Sequence, residues 1–501
     1  MTWKKFAFYT IWVAFHMALF VGGFIKQRDD FELRTLDSLG DSVFISRGAG
    51  LVLLVDTFLL LLPVCRNIIS IIRGSFVNRY IPFDHNIFLH KCTAYSMLFF
   101  SLVHTNAHYT NFFKVQEQLP SLGPAWKIHY TEWAGVTGHI MLVLMFFIYT
   151  SAKIEVRQKK FETFWYAHHL FIPFYLLLFF HAFGCFVKST DTGKCKGYGT
   201  VYYTVPTFTI YMLERVLREY RGRQPTTLTK VVFHPGKTLE LQFDKPSFQY
   251  KPGQYLFINI PEVSYFQWHP FTISSTPEEG FVSIHIRLVG DWTNAVAKLL
   301  GCFQNGGISK AGNNLPTIRV DGPFGAPAED FYKYKVACLV GAGIGVTPAA
   351  SLLKSVWYRY YRKAPMNLQK VYFFWVNRDK EAFEWFQSLL STLEESVPTS
   401  FLEIHVYLTG KLSVDDIQNI VLNDSDDVDP LTELHTRCHY GRPNWNRIFN
   451  GVKAACAPLY QDGLEVGVFY CGPAQLAATL KAATSETSSK QVKFDFRKEH
   501  F

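Results

Sequence analysis

Ionisable side chains are expensive inside a membrane, so histidines within apolar runs are functional candidates from the outset. The stretch 87–109 holds His90, His104 and His108, and the stretch 166–187 holds His168, His169 and His181. His90 and His104 are 14 residues apart. On a helix that spacing puts them on nearly one face, roughly 21 Å apart along the axis. His168 and His181 are 13 residues apart, a similar rise with a poorer angular match. Pro173 between them is placed to kink or re-phase that helix. If both stretches cross a membrane in the same direction, their first histidines share one depth and their second another. Two His–metal–His layers follow, suited to two stacked haems: His90 with His168 and His104 with His181, with His169 an alternative to His168. Hydrogen bonding between helices or a proton path competes for any single pair; two matched pairs favour ligation. Iron held by two histidines has no open position, so oxygen is reduced at the haem edge one electron at a time, giving superoxide. A cation there would stabilise the anion. Arg47 and His108 are the candidates, with a snorkelling interface anchor as the other reading of Arg47. His16, His129 and His139 lack matched partners of this kind and read as structural.

A second constellation lies further on. Trp268-His269-Pro270-Phe271-Thr272-Ile273-Ser274-Ser275 ends a predicted strand and offers aromatic surface, hydroxyls and backbone donors together. His285, Arg287, Trp292 and Thr293 follow, then Asp321-Gly322-Pro323-Phe324-Gly325. They supply a cation for a pyrophosphate and small residues where backbone must approach closely. Gly341, Gly343, Gly345, Thr347 and Pro348 sit between a predicted strand and a helix, where glycines let a phosphate approach a helix N-terminus. Their spacing departs from G-x-G-x-x-G, and the strand-to-helix context carries the signal. Arg378 ends the next strand, where a ribose is expected, and an Arg there favours the 2′-phosphate of NADPH; Arg442 is a second candidate. A surface salt bridge is the plainer reading of either. Cys471-Gly472-Pro473 closes a late strand at the same edge, placing Cys471 to face a nicotinamide, and the terminal Phe501 offers a ring to lie against a flavin.

The elements that must position these residues fall into two halves. Apolar stretches near the roughly 20 residues a bilayer crossing needs occur at 6–25, 45–65, 87–109, 133–151, 166–187 and 199–217. Lys4, Lys5, Arg66, Arg73, Arg79, Lys153, Arg157, Lys159, Lys160, Arg215, Arg218, Arg221 and Arg223 fall on one side of six such spans, which makes that side, both termini included, cytoplasmic. The N-terminal run has no small-residue cleavage site and reads as a retained span. Beyond Gln224-Pro225, runs such as Leu239–Phe243 and Val282–Leu288 read as a small antiparallel barrel. From 336 onward strands alternate with helices as in a nucleotide-binding α/β domain. The expected domains are therefore 1–223, 224–335 and 336–501. The net charge of +9 is spread over short loops rather than gathered into a patch, which argues against nucleic acid and suits an anionic leaflet. Of nine cysteines, only Cys185 and Cys195, in a short outer loop, suggest a disulfide. The acidic run Asp424–Asp429 lacks the pattern of a calcium loop and reads as solvated.

Together these residues resemble the NADPH oxidase catalytic subunits, and more distantly the ferric reductases of the same superfamily. The likeness spans essentially the whole chain: Leu62-Pro63-Val64-Cys65-Arg66-Asn67, His90 and His104, Phe164-Trp165-Tyr166-Ala167-His168-His169, His269-Pro270-Phe271-Thr272, Val289-Gly290-Asp291-Trp292-Thr293, the Gly341–Pro348 loop, Ala382-Phe383-Glu384-Trp385-Phe386, Tyr440-Gly441-Arg442-Pro443-Asn444-Trp445 and Phe501. The resemblance implies a six-helix transmembrane haem bundle joined to a ferredoxin-reductase-like cytosolic module. It implies two b-type haems at His90, His104, His168 and His181, FAD at His269–Ser275, and NADPH at the glycine loop, Arg378, Arg442 and Cys471. It places Arg47 and His108 at the oxygen site. Oxygen is the implied acceptor, superoxide the product, and a plasma or vesicle membrane the location, with cytosolic activators and a small membrane subunit as candidate partners. Compared with larger relatives, no EF-hand extension is expected, and the last outer loop, Gly184–Gly199, is short. Ferric-chelate reduction is the rival activity; a proton channel or redox-silent scaffold is the rival of another class.

Overall fold

The computed structural model describes residues 3–76, 85–184, 188–189, 191–195, 199–302, 315–423, 427–460 and 463–499. It divides into two compact units, Met1–Val216 and Leu217–Phe501.

The first unit is helical, because backbone groups at membrane depth have no water to bond and must satisfy one another within a helix. Its principal helices are α1 Trp3–Arg28, α2 Asp41–Leu61, α3 Arg66–Arg73, α4 Asn86–Gln118, α5 Ala125–Thr131, α6 Trp133–Ser151, α7 Phe161–His168, α8 Phe171–His181 and α9 Thr200–Gly222, whose last turns enter the second unit. Large apolar side chains such as Ile11, Phe99, Phe146 and Tyr202 face outward, the arrangement that lipid surroundings select. Among the described residues, Phe6–Arg28, Asp41–Val64, Trp133–Ser151 and Phe161–His181 are long and apolar enough to cross a membrane. The other two expected spans are also helical, at 33 and 23 residues. They are less apolar: α4 carries Lys91, His104, Asn106 and His108, and α9 carries Glu214 and Arg215.

Two local features set the histidine positions. The helix of the fifth stretch breaks at His169 and Leu170. Pro173 has no N–H for the carbonyl of His169, and its ring would collide with that carbonyl in a continuous helix. The His169 carbonyl instead accepts from Ile172 N at 3.0 Å. Near the other end of α2, the chain turns through Leu62–Val64 into α3, whose N-terminus is capped by Glu214. That carboxylate accepts from Asn67 N at 3.0 Å, Asn67 Nδ2 at 2.7 Å and Ile68 N at 3.0 Å, satisfying donors a helix start leaves orphaned.

The second unit begins with two three-stranded antiparallel sheets, ordered β1-β2-β5 and β4-β3-β6. Their strands are β1 Thr227–His234, β2 Thr238–Asp244, β3 Tyr255–Asn259, β4 His269–Thr272, β5 Val282–Arg287 and β6 Arg319–Phe324. A bridge between Ile273 and Ile284 links the two sheets, and inward residues such as Leu239, Leu241, Ile258 and Ile284 fill the barrel core. Helix α10, Asp291–Leu299, follows β5.

A six-stranded sheet ordered β10-β9-β8-β7-β11-β12 follows, every pairing in it parallel. Its strands are β7 Val336–Ala342, β8 Lys370–Asn377, β9 Leu402–Leu408, β10 His439–Tyr440, β11 Leu464–Cys471 and β12 Val492–Lys498. Helices α11 Thr347–Tyr361, α12 Glu384–Ser396, α13 Trp445–Cys456 and α14 Ala474–Thr487 accompany them. The two faces of the sheet carry separate cores, one around Phe373 and Trp375 and one around Phe374 and Tyr470. Strands buried on both faces read as unbroken apolar runs. Strand order reverses between β7 and β11, the point where open parallel sheets leave a crevice at their carboxyl ends.

One loop departs from the expectation of solvation. Asp429 is buried; its Oδ1 accepts from Leu431 N at 3.0 Å and Thr432 N at 2.9 Å, and its Oδ2 from Cys438 N at 2.9 Å. The carboxylate substitutes for water by holding three backbone donors. Residues 424–426 of the acidic run lie outside the described residues, as does Cys185. Cys195 is disulfide-bonded.

Candidate redox sites

In the helical unit the four predicted histidines gather by pairs. His90 on α4 and His168 on α7 face each other with ring centroids 6.2 Å apart. Metal–imidazole bonds of about 2 Å put two rings across one metal roughly 6 Å apart, so this gap fits a metal between them. His169 turns away onto Trp165, at 4.6 Å, and its Nδ1 donates to the Trp165 carbonyl at 2.7 Å. His104, His108 and His181 lie within electrostatic reach of one another, with Arg47 within reach of His104 and His108. His104 and His108 rings are 4.5 Å apart, and His108 continues onto Phe112 at 5.9 Å.

The outer bonds of these rings are specific. His90 Nδ1 donates to the Leu60 carbonyl and His104 Nδ1 to the Ser46 carbonyl, each at 2.9 Å, and His181 Nδ1 meets Thr137 Oγ1 at 2.8 Å. Fixing Nδ1 in this way leaves Nε2 as the ligating nitrogen, the usual orientation of metal-binding imidazoles. His168 Nδ1 is buried with no hydrogen-bond partner. Gly138 keeps α6 thin at His181: a Cβ there would stand 3.4 Å from His181 Cε1.

In the second unit, β4 is an edge strand of its sheet, paired with β3 alone among the described strands. His269 on it stacks on Trp292 of α10 at 4.0 Å, and Phe271 lies 6.1 Å from the same indole. Trp268 packs with Phe257 and Phe324. Trp292 Nε1 is buried with no hydrogen-bond partner, a donor left to an incoming ligand. Pro270 is exposed, whereas Thr272, Ile273, Ser274 and Ser275 are buried. Ser274 Oγ bonds His285 Nδ1 at 2.8 Å, Ser275 Oγ bonds the Tyr250 hydroxyl at 2.7 Å, and Ser351 of α11 donates to the Ser275 carbonyl at 2.7 Å. These hydroxyls fix the turn rather than remain open. Thr293 Oγ1 accepts from Gly290 N at 3.1 Å and so caps α10. His285 packs against Trp385 at 4.4 Å with the rings tilted, a contact that residue spacing does not reveal. Burial pushes its imidazole down to about 3 against the pull of Glu240. Burial alone would raise Glu240, but its hydrogen bond to His234 and the charge of His285 hold it at about 2.

The predicted nucleotide residues all stand at the carboxyl edge of the parallel sheet: Gly341 to Pro348 from the end of β7 onward, Arg378 after β8, Arg442 after β10, and Cys471 to Pro473 from the last residue of β11. The three glycines of the loop do different things. A Cβ on Gly341 would meet Val346 Cα at 2.8 Å and one on Gly345 would meet the Cys471 carbonyl oxygen at 2.3 Å, so these two permit the chain to pack on itself. Gly343, at φ +58°, has only Arg287 Nη1 nearby, at 3.7 Å; its side is open. Arg287, Gly343, Ile344, Asn377, Asp379 and Trp385 line a shallow cleft. Thr347 and Pro348 are buried at the start of α11. Arg378 and Arg442 are exposed. Cys471 sits in register with Gly341, and burial and then the Glu499 charge push its thiol up. The Tyr470 hydroxyl donates to Pro473 O at 2.8 Å. Phe501 lies outside the described residues.

Inward histidines in a helical membrane unit, followed by an antiparallel barrel and a parallel nucleotide sheet, define a membrane-bound redox flavoprotein. Family models agree in order: "Ferric reductase like transmembrane component" matches 49–179, "FAD-binding domain" 224–328 and "Ferric reductase NAD binding domain" 334–485. A superoxide-generating NADPH oxidase heavy chain of Dictyostelium discoideum is 39% identical over 97% of this chain and 94% of that one. NADPH oxidase 1 of Mus musculus is 35% identical over 100% and 94%, and NADPH oxidase 3 of Homo sapiens 34% over 98% and 97%. The chain belongs to the NADPH oxidase family. It is a membrane oxidoreductase whose cofactors are haem, FAD and a nicotinamide dinucleotide.

Proposed function

We propose that this chain carries electrons from cytosolic NADPH across a membrane to oxygen on the far side and releases superoxide. The observation that carries the reading is the facing of His90 and His168 at 6.2 Å with His90 Nδ1 anchored to a backbone carbonyl, a geometry that leaves Nε2 to a metal. His90 and His168 would hold the inner haem, and His104 and His181 the outer. Bound flavin and haem supply the division of a two-electron donor into single-electron steps.

The chain's own residues bind and orient. His269 to Ser275 and Trp292 form the flavin wall; Arg287 supplies a cation for pyrophosphate. Gly343 leaves room for a phosphate at the start of α11, Arg378 and Arg442 offer charge to a 2′-phosphate, and Cys471 borders the nicotinamide. Phe501 is the candidate ring to lie against the flavin. Arg47 and His108 attract oxygen's one-electron product beside His104. The domains run 1–223, 224–335 and 336–501, with both termini cytoplasmic. Cytosolic activators and a small membrane subunit are candidate partners.

The test is the purified chain from haem-replete cells: a reduced-minus-oxidised spectrum showing b-type haem, and superoxide release driven by NADPH. Colourless protein, or iron-chelate reduction that persists without oxygen while no superoxide forms, would overturn the reading.

A further inference from the structure

Helix α1 is outward-facing along most of its length: Ile11 is 70% exposed and Val13 58%. His16 is turned inward, 4% exposed, against Asp56 of α2, which is fully buried at 0%. An ionisable pair at that depth is costly unless it serves a purpose. His16 Nδ1 lies 2.8 Å from the Trp12 carbonyl, which only accepts, so Nδ1 carries a proton. His16 Nε2 lies 2.8 Å from Asp56 Oδ1. One further proton therefore sits between ring and carboxylate, and the pair as a whole is neutral.

The other carboxylate oxygen, Asp56 Oδ2, is buried with no hydrogen-bond partner. Ser96 of α4 lies within hydrogen-bonding influence of the carboxylate, and its Oγ is otherwise buried without a partner. Tyr149 of α6 also bears on Asp56, and its hydroxyl donates to the Ala94 carbonyl. Asp56 precedes by one turn Leu60, whose carbonyl anchors His90. Ser46, whose carbonyl anchors His104, is ten residues the other way. The pair thus stands about 6 Å along the α2 axis from the inner anchor and roughly 15 Å from the outer one.

We propose that His16 and Asp56 form a proton-accepting site coupled to the inner histidine layer. The inference rests on His90 and His168 holding a haem. When that layer gains an electron, Asp56 Oδ2 takes one proton from water. An O–H bond forms, the pair passes from neutral to +1, and the added negative charge is offset. When the electron moves on, the proton returns to water. The electron is the one the oxidase reaction already supplies, so no further reductant is needed. Charges in a low-dielectric interior interact strongly, which is why two such changes at this range would be linked.

Redox titration of the purified holoprotein by haem absorbance, repeated across neutral pH, tests this. One of the two haem midpoints is expected to fall as pH rises, by up to about 59 mV per tenfold change in proton activity for one proton per electron. Asp56→Asn should flatten that slope and leave the other haem's unchanged. Redox-difference infrared spectra of the unaltered protein should show a carboxylic-acid C=O band on reduction, lost in Asp56→Asn. Two intact haem signals with pH-independent midpoints overturn this inference alone, as does a slope that survives Asp56→Asn. If that variant fails to assemble, the infrared spectrum of the unaltered protein decides, and silence in the carboxyl region overturns the proposal. Protein without haem absorbance overturns the proposed function itself.

Discussion

The helical unit and the parallel sheet solve opposite problems. In the helices the backbone groups are satisfied mostly by one another, so binding capacity rests in side chains, and His90, His104, His168 and His181 supply it. At the sheet edge the backbone itself shapes the site: Gly341 and Gly345 have no side chain because Val346 and Cys471 occupy the space, and Gly343 opens toward the cleft. A histidine site tolerates neighbours but not loss of the ring, whereas Gly341 and Gly345 tolerate no added atom.

The sharpest break of that contrast is removal of a ring. His104→Leu is expected to lower haem content from two per chain to one and bring superoxide output to background, measured by pyridine haemochrome and cytochrome reduction; unchanged haem content would refute the assignment. Next is an added atom at the sheet edge. Gly345→Ala drives a Cβ into the Cys471 carbonyl and is expected to cost about 1–3 kcal/mol by overpacking, read as a lower melting temperature with haem content intact.

A smaller effect concerns a side chain at that backbone-built edge. Arg378→Ala should raise the KM for NADPH about tenfold or more, since a hydrogen bond to a charged group contributes roughly 1.5–3 kcal/mol. The KM for NADH should stay put, and an equal rise for both would exclude a 2′-phosphate role. Per pH unit, the smallest is a pH effect. Burial holds His285 at about 3, below its unfolded value of about 6.5, so the folded state favours the neutral ring. Its contribution is fully present above the unfolded value and drains as pH falls toward the folded one, by at most about 1.4 kcal/mol per pH unit. Amide exchange at β5 in the whole protein should speed up on acidification, and His285→Gln should weaken the dependence.

Much of this was legible in the chain. The strand-to-helix position of Gly341–Thr347 and the strand ends at Arg378 and Cys471 followed from local pattern, because parallel strands are buried on both faces and announce themselves. The helix break was signalled by Pro173, whose chemistry is local. The burial of Asp429 was not legible: its three backbone partners belong to a loop whose closure no periodicity encodes.

The sequence by itself determined which residue types stand at which spacing, and hence the histidine pairs, the glycine loop and the order of domains. Only the tertiary structure decided which ring faces which. His168 rather than His169 meets His90, because a two-residue break rotates the helix by an angle no spacing rule predicts. Only folding joined His16 to Asp56, 40 residues apart, because contact between helices depends on how their faces pack, a property of the whole bundle.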